Sequence, residues 1–281
     1  MRPLYGLLHL TFRELWAKKT VLGLFIVSSL VLLVITFALN LNVVEGSLQG
    51  LRFFGQQAGP EAAGEDAPEF SLTNIVVQVE AVVAGAAYWI GILLALFASA
   101  PLFSDLQTDG RVELLLSKPI SRVQAMMGHI AGVWLAILAL TLYLMGGTWL
   151  IMSIKSGVWN PQFLVSIALV VGMFAVMYAP VMLMGVWSQS TALALIVSYG
   201  LIFVSTVLAG ADQISPLLGP VAKPVFWGLY HALPNFTEVT MIVTKLAKDQ
   251  AVASWYPVWS SLFFGGAVYG LTGYGFVRRD F

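Results

Sequence analysis

His9, His129 and His231 are the only histidines in this chain, and it has no cysteine. None of the three stands with a Ser and an Asp, or with a second donor at metal-ligand spacing, so neither hydrolysis nor zinc chemistry has a constellation to run on. Charged side chains cluster instead between residues 104 and 126: Asp105, Asp109, Arg111, Glu113, Lys118 and Arg122, interleaved with Val112, Leu114, Leu115 and Leu116. Mixed charges around a short apolar face suit recognition of another protein surface, because they offer ion pairs, hydrogen bonds and a patch to bury, and no nucleophile or general base. Met173, Met177 and Met184 share one helical face and Met145 and Met152 repeat at seven. Thioethers are soft ligands for Cu(I), but flexible filling of gaps is their ordinary use.

The elements that hold the charged cluster follow from local signals. Asp109 and Gly110 form a turn signal, with Asp109 as N-cap of a short helix over Arg111–Ser117. Pro119 stops that helix, because the residue before a proline is forced out of helical dihedrals. Ser121 and Gln124 then have the spacing of a capping box that opens the next helix. A short amphipathic helix rigidly joined to a longer apolar one results.

Those longer helices read as membrane spans. Hydrophobic residues make up 59% of the 281 residues and charged ones only 10%, far from the quarter or so usual in soluble domains. A span needs about 20 apolar residues. The regions that qualify are Thr20–Leu39, Ala81–Phe103, His129–Ile154, the uncharged tract Ser156–Ala211 (long enough for two helices, broken near Trp187–Ser190) and Tyr256–Phe276. The expectation is an all-α membrane protein of six transmembrane helices, a single transmembrane domain over 1–281. The first apolar run is too long for a signal peptide and no small-residue cleavage site follows it.

Lys and Arg near the span ends orient the chain. Arg2, Arg13, Lys18 and Lys19 precede the first span, Arg111, Lys118 and Arg122 follow the second, and Arg278 and Arg279 follow the last; residues 40–80 carry Arg52 alone against six acids. The bias puts both termini and the 104–126 loop in the cytoplasm of a cell inner (plasma) membrane. Residues 1–19 place Leu4, Leu7, Leu8, Phe12, Leu15 and Trp16 at helical spacing, which reads as an interfacial helix. The external loop 40–80 is Gly-, Pro- and acid-rich over 55–69 and reads as solvated and mobile. Residues 212–255, with Pro216, Pro220 and Pro224, are too polar for a span and read as broken external or re-entrant helices ending in an amphipathic run, Thr237–Lys248.

The 104–129 stretch resembles that of the type-2 ATP-binding-cassette permeases, the integral membrane subunits of many bacterial exporters. The residues that carry the resemblance are Asp105, Gly110, Glu113 to Leu116, the run Ser117, Lys118, Pro119, Ile120, Ser121 and Arg122, and Gly128. Arg13 and Glu14 before two lysines are similar to the family's elbow helix. Asp105 is one carbon shorter than the family's usual Glu, Arg111 stands where Thr is common, and His129 stands where Lys is common. The resemblance implies an elbow helix, a cytoplasmic coupling helix between spans 2 and 3, and docking of that helix on a separate ATPase subunit. It puts those contacts on Glu113, Ser117, Pro119 and Arg122, with Arg111 and Lys118 as polar neighbours. It further implies a second permease copy or paralogue, and allows a periplasmic or accessory protein beside membrane lipid; nothing points to nucleic acid.

A Walker A sequence is absent from the chain, so ATP and Mg belong to the partner, and the chain itself is expected to hold no cofactor, metal or catalytic residue. Two other readings use the same spans: an ion-coupled secondary transporter and a non-transporting membrane anchor. The first needs an ionisable group inside the membrane. Glu80 and Lys155 fall at the edges of the apolar regions, which counts against it. Uncharged spans favour an apolar or amphipathic substrate. Gly128 with Gly132, Gly266 with Gly270, and Ala84 to Ala86 have the small-residue spacing of close helix contacts.

Overall fold

The computed structural model of the chain describes residues 20–44, 47–53, 56–58, 72–106 and 122–278. Helices stand at each of the six apolar positions, and four of them are long and apolar enough to cross a membrane: 72–102, 123–156, 161–188 and 191–208. These four are compatible with a multi-pass membrane protein. In chain order the helices are α1 (Thr20–Ala38), α2 (Leu72–Ala86), α3 (Ile92–Leu106), α4 (Arg122–Thr141), α5 (Gly147–Ser156), α6 (Pro161–Ser188), α7 (Thr191–Leu208), α8 (Ala211–Ile214), α9 (Ala222–Ala232), α10 (Phe236–Ala247) and α11 (Tyr256–Arg278). One π-helical turn, Ala87–Gly91, joins α2 to α3, and another, Leu142–Gly146, joins α4 to α5.

Helix α6 is the axis of the bundle. Its buried residues run from Phe163 to Val186 on every side of the helix, and α3, α7, α10 and α11 all pack on it. Asn160 starts it by accepting a hydrogen bond from Phe163 N, and Pro161 comes next, at the position where a missing N–H costs nothing. It ends where expected, at the Trp187–Ser190 break: Gln189 adopts φ 54° and Ser190 caps α7 by accepting from Leu193 N. Polar side chains that bond their own backbone end one helix and begin the next.

Three differences from the sequence reading have physical causes. The second span begins at Leu72, not Ala81, so Glu80 lies inside it. Thr73, Asn74, Gln78 and Glu80 lower the hydropathy of this stretch, yet Glu and Gln are good helix formers and do not stop a helix. The third span likewise runs over 123–156, so that Lys155 ends it, and the Lys155 ammonium bonds Thr36 O at the end of α1. Third, the segment after α1 is not wholly loop. It forms an antiparallel ribbon of β1 (Leu39–Val44), β2 (Ser47–Phe53) and β3 (Gln56–Ala58) in the order β1-β2-β3, with a register shift between Asn42 and Val43. The expected interfacial helix (1–19), residues 59–71 of the external loop and residues 107–121 lie outside the described residues.

Residues 209–235 are broken into short pieces, as their prolines dictate, and α10 is buried along one side through Val239, Ile242, Val243 and Leu246. Contacts of α10 reach α2, α6, α7 and α11, so this helix is part of the bundle and not a surface loop.

Candidate functional site

Of the residues assigned to the coupling interface, Asp105 falls in the last turn of α3 and Arg122 is the first residue of α4. Gly110, Arg111, Glu113, Ser117, Lys118 and Pro119 lie outside the described residues, as do Arg13 and Glu14. The two helices that precede and follow residues 107–121, α3 and α4, both pack on α6. His129, in the second turn of α4, is buried with its Nε2 3.1 Å from the Tyr178 hydroxyl of α6. Gly128 and Gly132 are buried on the same helix, which assigns them to packing within the chain. Met145, Met152, Met173 and Met177 are buried in the apolar core and Met184 packs against it. Among the described residues no three His, Cys, Asp or Glu side chains converge on a point that could hold a metal ion.

The buried carboxylate is the group that sequence reading undervalues. Glu80 has no exposed surface. Asn160 Nδ2 donates to Glu80 Oε2 at 2.7 Å and to Ala247 O at 2.9 Å, while Asn160 Oδ1 accepts from Phe163 N at 3.3 Å and its backbone carbonyl accepts from the Trp149 indole at 2.9 Å. One residue therefore ties α2, α5, α6 and the end of α10 together. Glu80 Oε1 has no partner among the described residues. A carboxylate out of water with half its acceptors unused is costly, so such groups are usually functional or neutralised.

A second tie fixes the other end of α10. Tyr88, fully buried in the π-turn, donates to Phe236 O at 2.6 Å. The π-turn inserts an extra residue into the helical repeat, which rotates the face presented by α3 relative to α2. Tyr88 thus points into the core, while Trp89 packs edge-on against Phe236, with centroids 5.2 Å apart, and lines a groove between α3 and α7. The groove has a volume of about 650 Å³ and is walled by Leu93, Phe97, Tyr199, Ile202 and Phe203 besides Trp89. Tyr199 OH donates to Leu93 O at 3.0 Å and so spends its polar end on the backbone. Chemically the groove offers apolar and aromatic contact and nothing ionic, which suits an acyl chain or a ring system.

Outside the four apolar helices, the Tyr230 hydroxyl of α9 donates to both carboxylate oxygens of Glu238, at 2.8 and 3.0 Å. Burial pushes the Glu238 carboxyl above its ordinary range; the Tyr230 hydrogen bond opposes this and the Asp212 charge adds to it. The Tyr230 phenol is raised too, by burial first and then by Glu238. A carboxyl whose folded pKa lies above its unfolded one stabilises the fold at low pH, and that contribution fades as pH rises through the folded value. Wild type should therefore lose thermal stability relative to Glu238→Gln between mildly acidic and neutral pH. Parallel melting curves across that range check the sign, and identical pH slopes for both proteins would contradict it.

Neither protein-family models nor curated proteins show a match to this chain.

Proposed function

We propose that the chain is the membrane permease subunit of an ATP-binding-cassette exporter, working as two permease chains with two separate ATPase subunits. The observation that carries this reading is the sequence Ser117–Arg122 with its preceding Glu113–Leu116, set between the two long helices α3 and α4. In this reading six helices span the membrane with both termini in the cytoplasm, residues 1–19 form the elbow helix, and residues 104–126 form the coupling helix. Nucleotide closure of the ATPase pushes on that helix, and α3 and α4 transmit the push to α6 on which both pack. The absence of a Walker A sequence leaves ATP and Mg to the partner. The groove beside Trp89 accepts an apolar or amphipathic substrate, and residues 212–255 form the external re-entrant arm.

Mild-detergent purification from the native host tests this. An ATPase subunit should co-purify with wild type and be lost when Arg122→Glu and Glu113→Arg are combined. Recovery of no ATPase with wild type would overturn the reading.

One observation favours a second reading, an ion-coupled secondary transporter: the buried Glu80 inside a long apolar helix. Glu80→Gln separates the two. It leaves ATPase co-purification intact if the chain is a permease, and abolishes gradient-driven transport in vesicles if the chain is a self-contained carrier.

A further inference from the structure

A small cavity of about 60 Å³ lies where α1, α3, α4 and α6 meet. Its side-chain walls, such as Ile92, Ala95, Ile137 and Val170, are aliphatic apart from two hydroxyls, those of Ser28 on α1 and Thr141 at the end of α4. Both residues are buried. Among the described residues neither hydroxyl has a hydrogen-bond partner. This sets them apart from their neighbours. Ser29 donates to Phe25 O and Thr148 to Leu144 O, each four residues back, which is how a helical hydroxyl ordinarily satisfies itself. Ser198 is also buried without a partner, but protein atoms enclose its oxygen, whereas those of Ser28 and Thr141 are not enclosed.

We propose that this cavity is a binding site for water, and that water held by the Ser28 and Thr141 hydroxyls joins α1 to α4 inside the bundle. Size fits the ligand. A water takes up roughly 30 Å³ in the liquid, so the cavity has room for about two. It is far below the roughly 150 Å³ that admits a benzene ring, which leaves no place for a ring system or a lipid chain. No charged side chain lines it, so an ion would stay unneutralised. Chemistry fits as well. Cavities walled only by Leu, Ile and Phe remain dry, but unpaired hydroxyls in apolar surroundings are costly, and one bridging water satisfies both. The backbone adds acceptors, because Ala87, Gly91 and Leu144 bring both π-turns to the cavity. At these turns the regular ladder is interrupted: Ile92 N bonds Trp89 O three residues back, and Gly147 N is shared between Tyr143 O and Leu144 O. A carbonyl has two lone pairs, so those of the π-turns can accept from water too.

The consequence is mechanical. Elsewhere α1 meets the second π-turn by direct contact: Phe25 stacks on Tyr143 with centroids 4.8 Å apart, and the Ser29 and Tyr143 hydroxyls bond at 3.1 Å. At Ser28 water takes the place of interlocked side chains, and water exchanges partners without any change of rotamer. Helix α1 can therefore shift against α3 and α4 at this joint at little cost. The inference needs the packed bundle in a bilayer and neither ATPase docking nor Glu80, so it stands or falls separately from both functional readings.

Solid-state magnetic resonance of the isotope-labelled full chain in phosphatidylcholine vesicles tests this by passing magnetisation from water protons to the protein. The Ser28 and Thr141 signals are identified by their loss in Ser28→Ala and Thr141→Val. The expected result is a build-up at both residues several-fold faster than at Ser198, approaching that of the exposed Gln250. Build-up as slow as at Ser198 overturns the proposal, and transfer from lipid acyl protons in place of water overturns it in favour of a lipid chain. Fast build-up at Phe97, exposed on the outer face of α3, would show water all around the bundle and would overturn it too. Xenon supplies a second readout, since it enters dry apolar cavities. Under xenon the Ile92 and Ile137 methyl signals should stay in place in wild type and shift when Ser28→Ala and Thr141→Val are combined, because that variant makes the side-chain walls wholly aliphatic. An equal xenon shift in wild type would mean that the cavity is dry, and this arm decides even if the double variant fails to fold.

Discussion

Asn160→Ala should destabilise the chain by roughly 3–5 kcal/mol, because it removes the sole hydrogen-bond partner, among the described residues, of a fully buried carboxylate. The same deletion also strips α6 of its N-cap, worth about 1 kcal/mol by itself, and leaves Ala247 O at the end of α10 without its donor. Most of the loss comes from Glu80. With Asn160 gone, both carboxylate oxygens sit in apolar surroundings, and the group must take a proton or drag in water. Glu80→Gln therefore tests the argument. Alone it removes a charge and keeps a side chain that accepts from Asn160 Nδ2, so it should cost about 1 kcal/mol or less. In the Asn160→Ala background it should recover stability, since a neutral amide is cheaper to leave unpaired than a carboxylate. Reversible unfolding in mixed micelles gives the cycle. Additive effects of the two substitutions would mean that the two side chains do not work as a pair.

The pairing explains why the second span is only partly legible in the sequence. Hydropathy finds only the more apolar part of this helix, from Ala81 on, because Glu80 can be placed inside it only if its partner is known, and Asn160 lies 80 residues away. No local period reports such a contact. The Ser188–Ser190 break, by contrast, is written locally in polar residues that cap their own backbone, and the prolines after Ala211 are as plain. Strand β1 does carry a local signal, weaker than the acidic, Gly-rich composition around it: Leu39, Leu41 and Val43 alternate with Asn40 and Asn42, a period of two. The π-turns have no such signature, because the composition of Ala87–Gly91 differs little from that of its neighbours. The coupling residues rest on motif alone, with only Asp105 and Arg122 given a backbone position at the ends of α3 and α4.

Gly265→Leu should be the most damaging change in α11, at about 3 kcal/mol or more, because the added side chain has nowhere to go. A Cβ at 265 would lie 3.1 Å from Val176 Cγ2 and 3.2 Å from Val176 Cα, so it meets backbone of the central helix α6 and not a movable tip. Even Gly265→Ala should cost about 1 kcal/mol, since overpacking a close helix contact forces a shift of one helix. That shift would strain the Tyr269 OH bond to Ala175 O, 2.7 Å long and one turn further on. Gly266 and Gly270 are the controls: an added Cβ at either meets nothing within 4 Å. Their Gly-x-x-x-Gly spacing suggests a close contact, but within one chain the close contact belongs to Gly265. Gly266→Ala and Gly270→Ala should thus be neutral or slightly stabilising for the isolated chain, since Ala outranks Gly in a helix by up to about 1 kcal/mol. Melting of each variant in dilute detergent should show the largest loss for Gly265→Leu, a smaller one for Gly265→Ala and none for the two controls. If the chain works as a pair of copies and their contact uses the Gly266–Gly270 face, Gly266→Leu would lower the dimer fraction in gentle detergent while leaving the melting of the monomer unchanged. The two adjacent glycines then separate packing inside one chain from packing between chains.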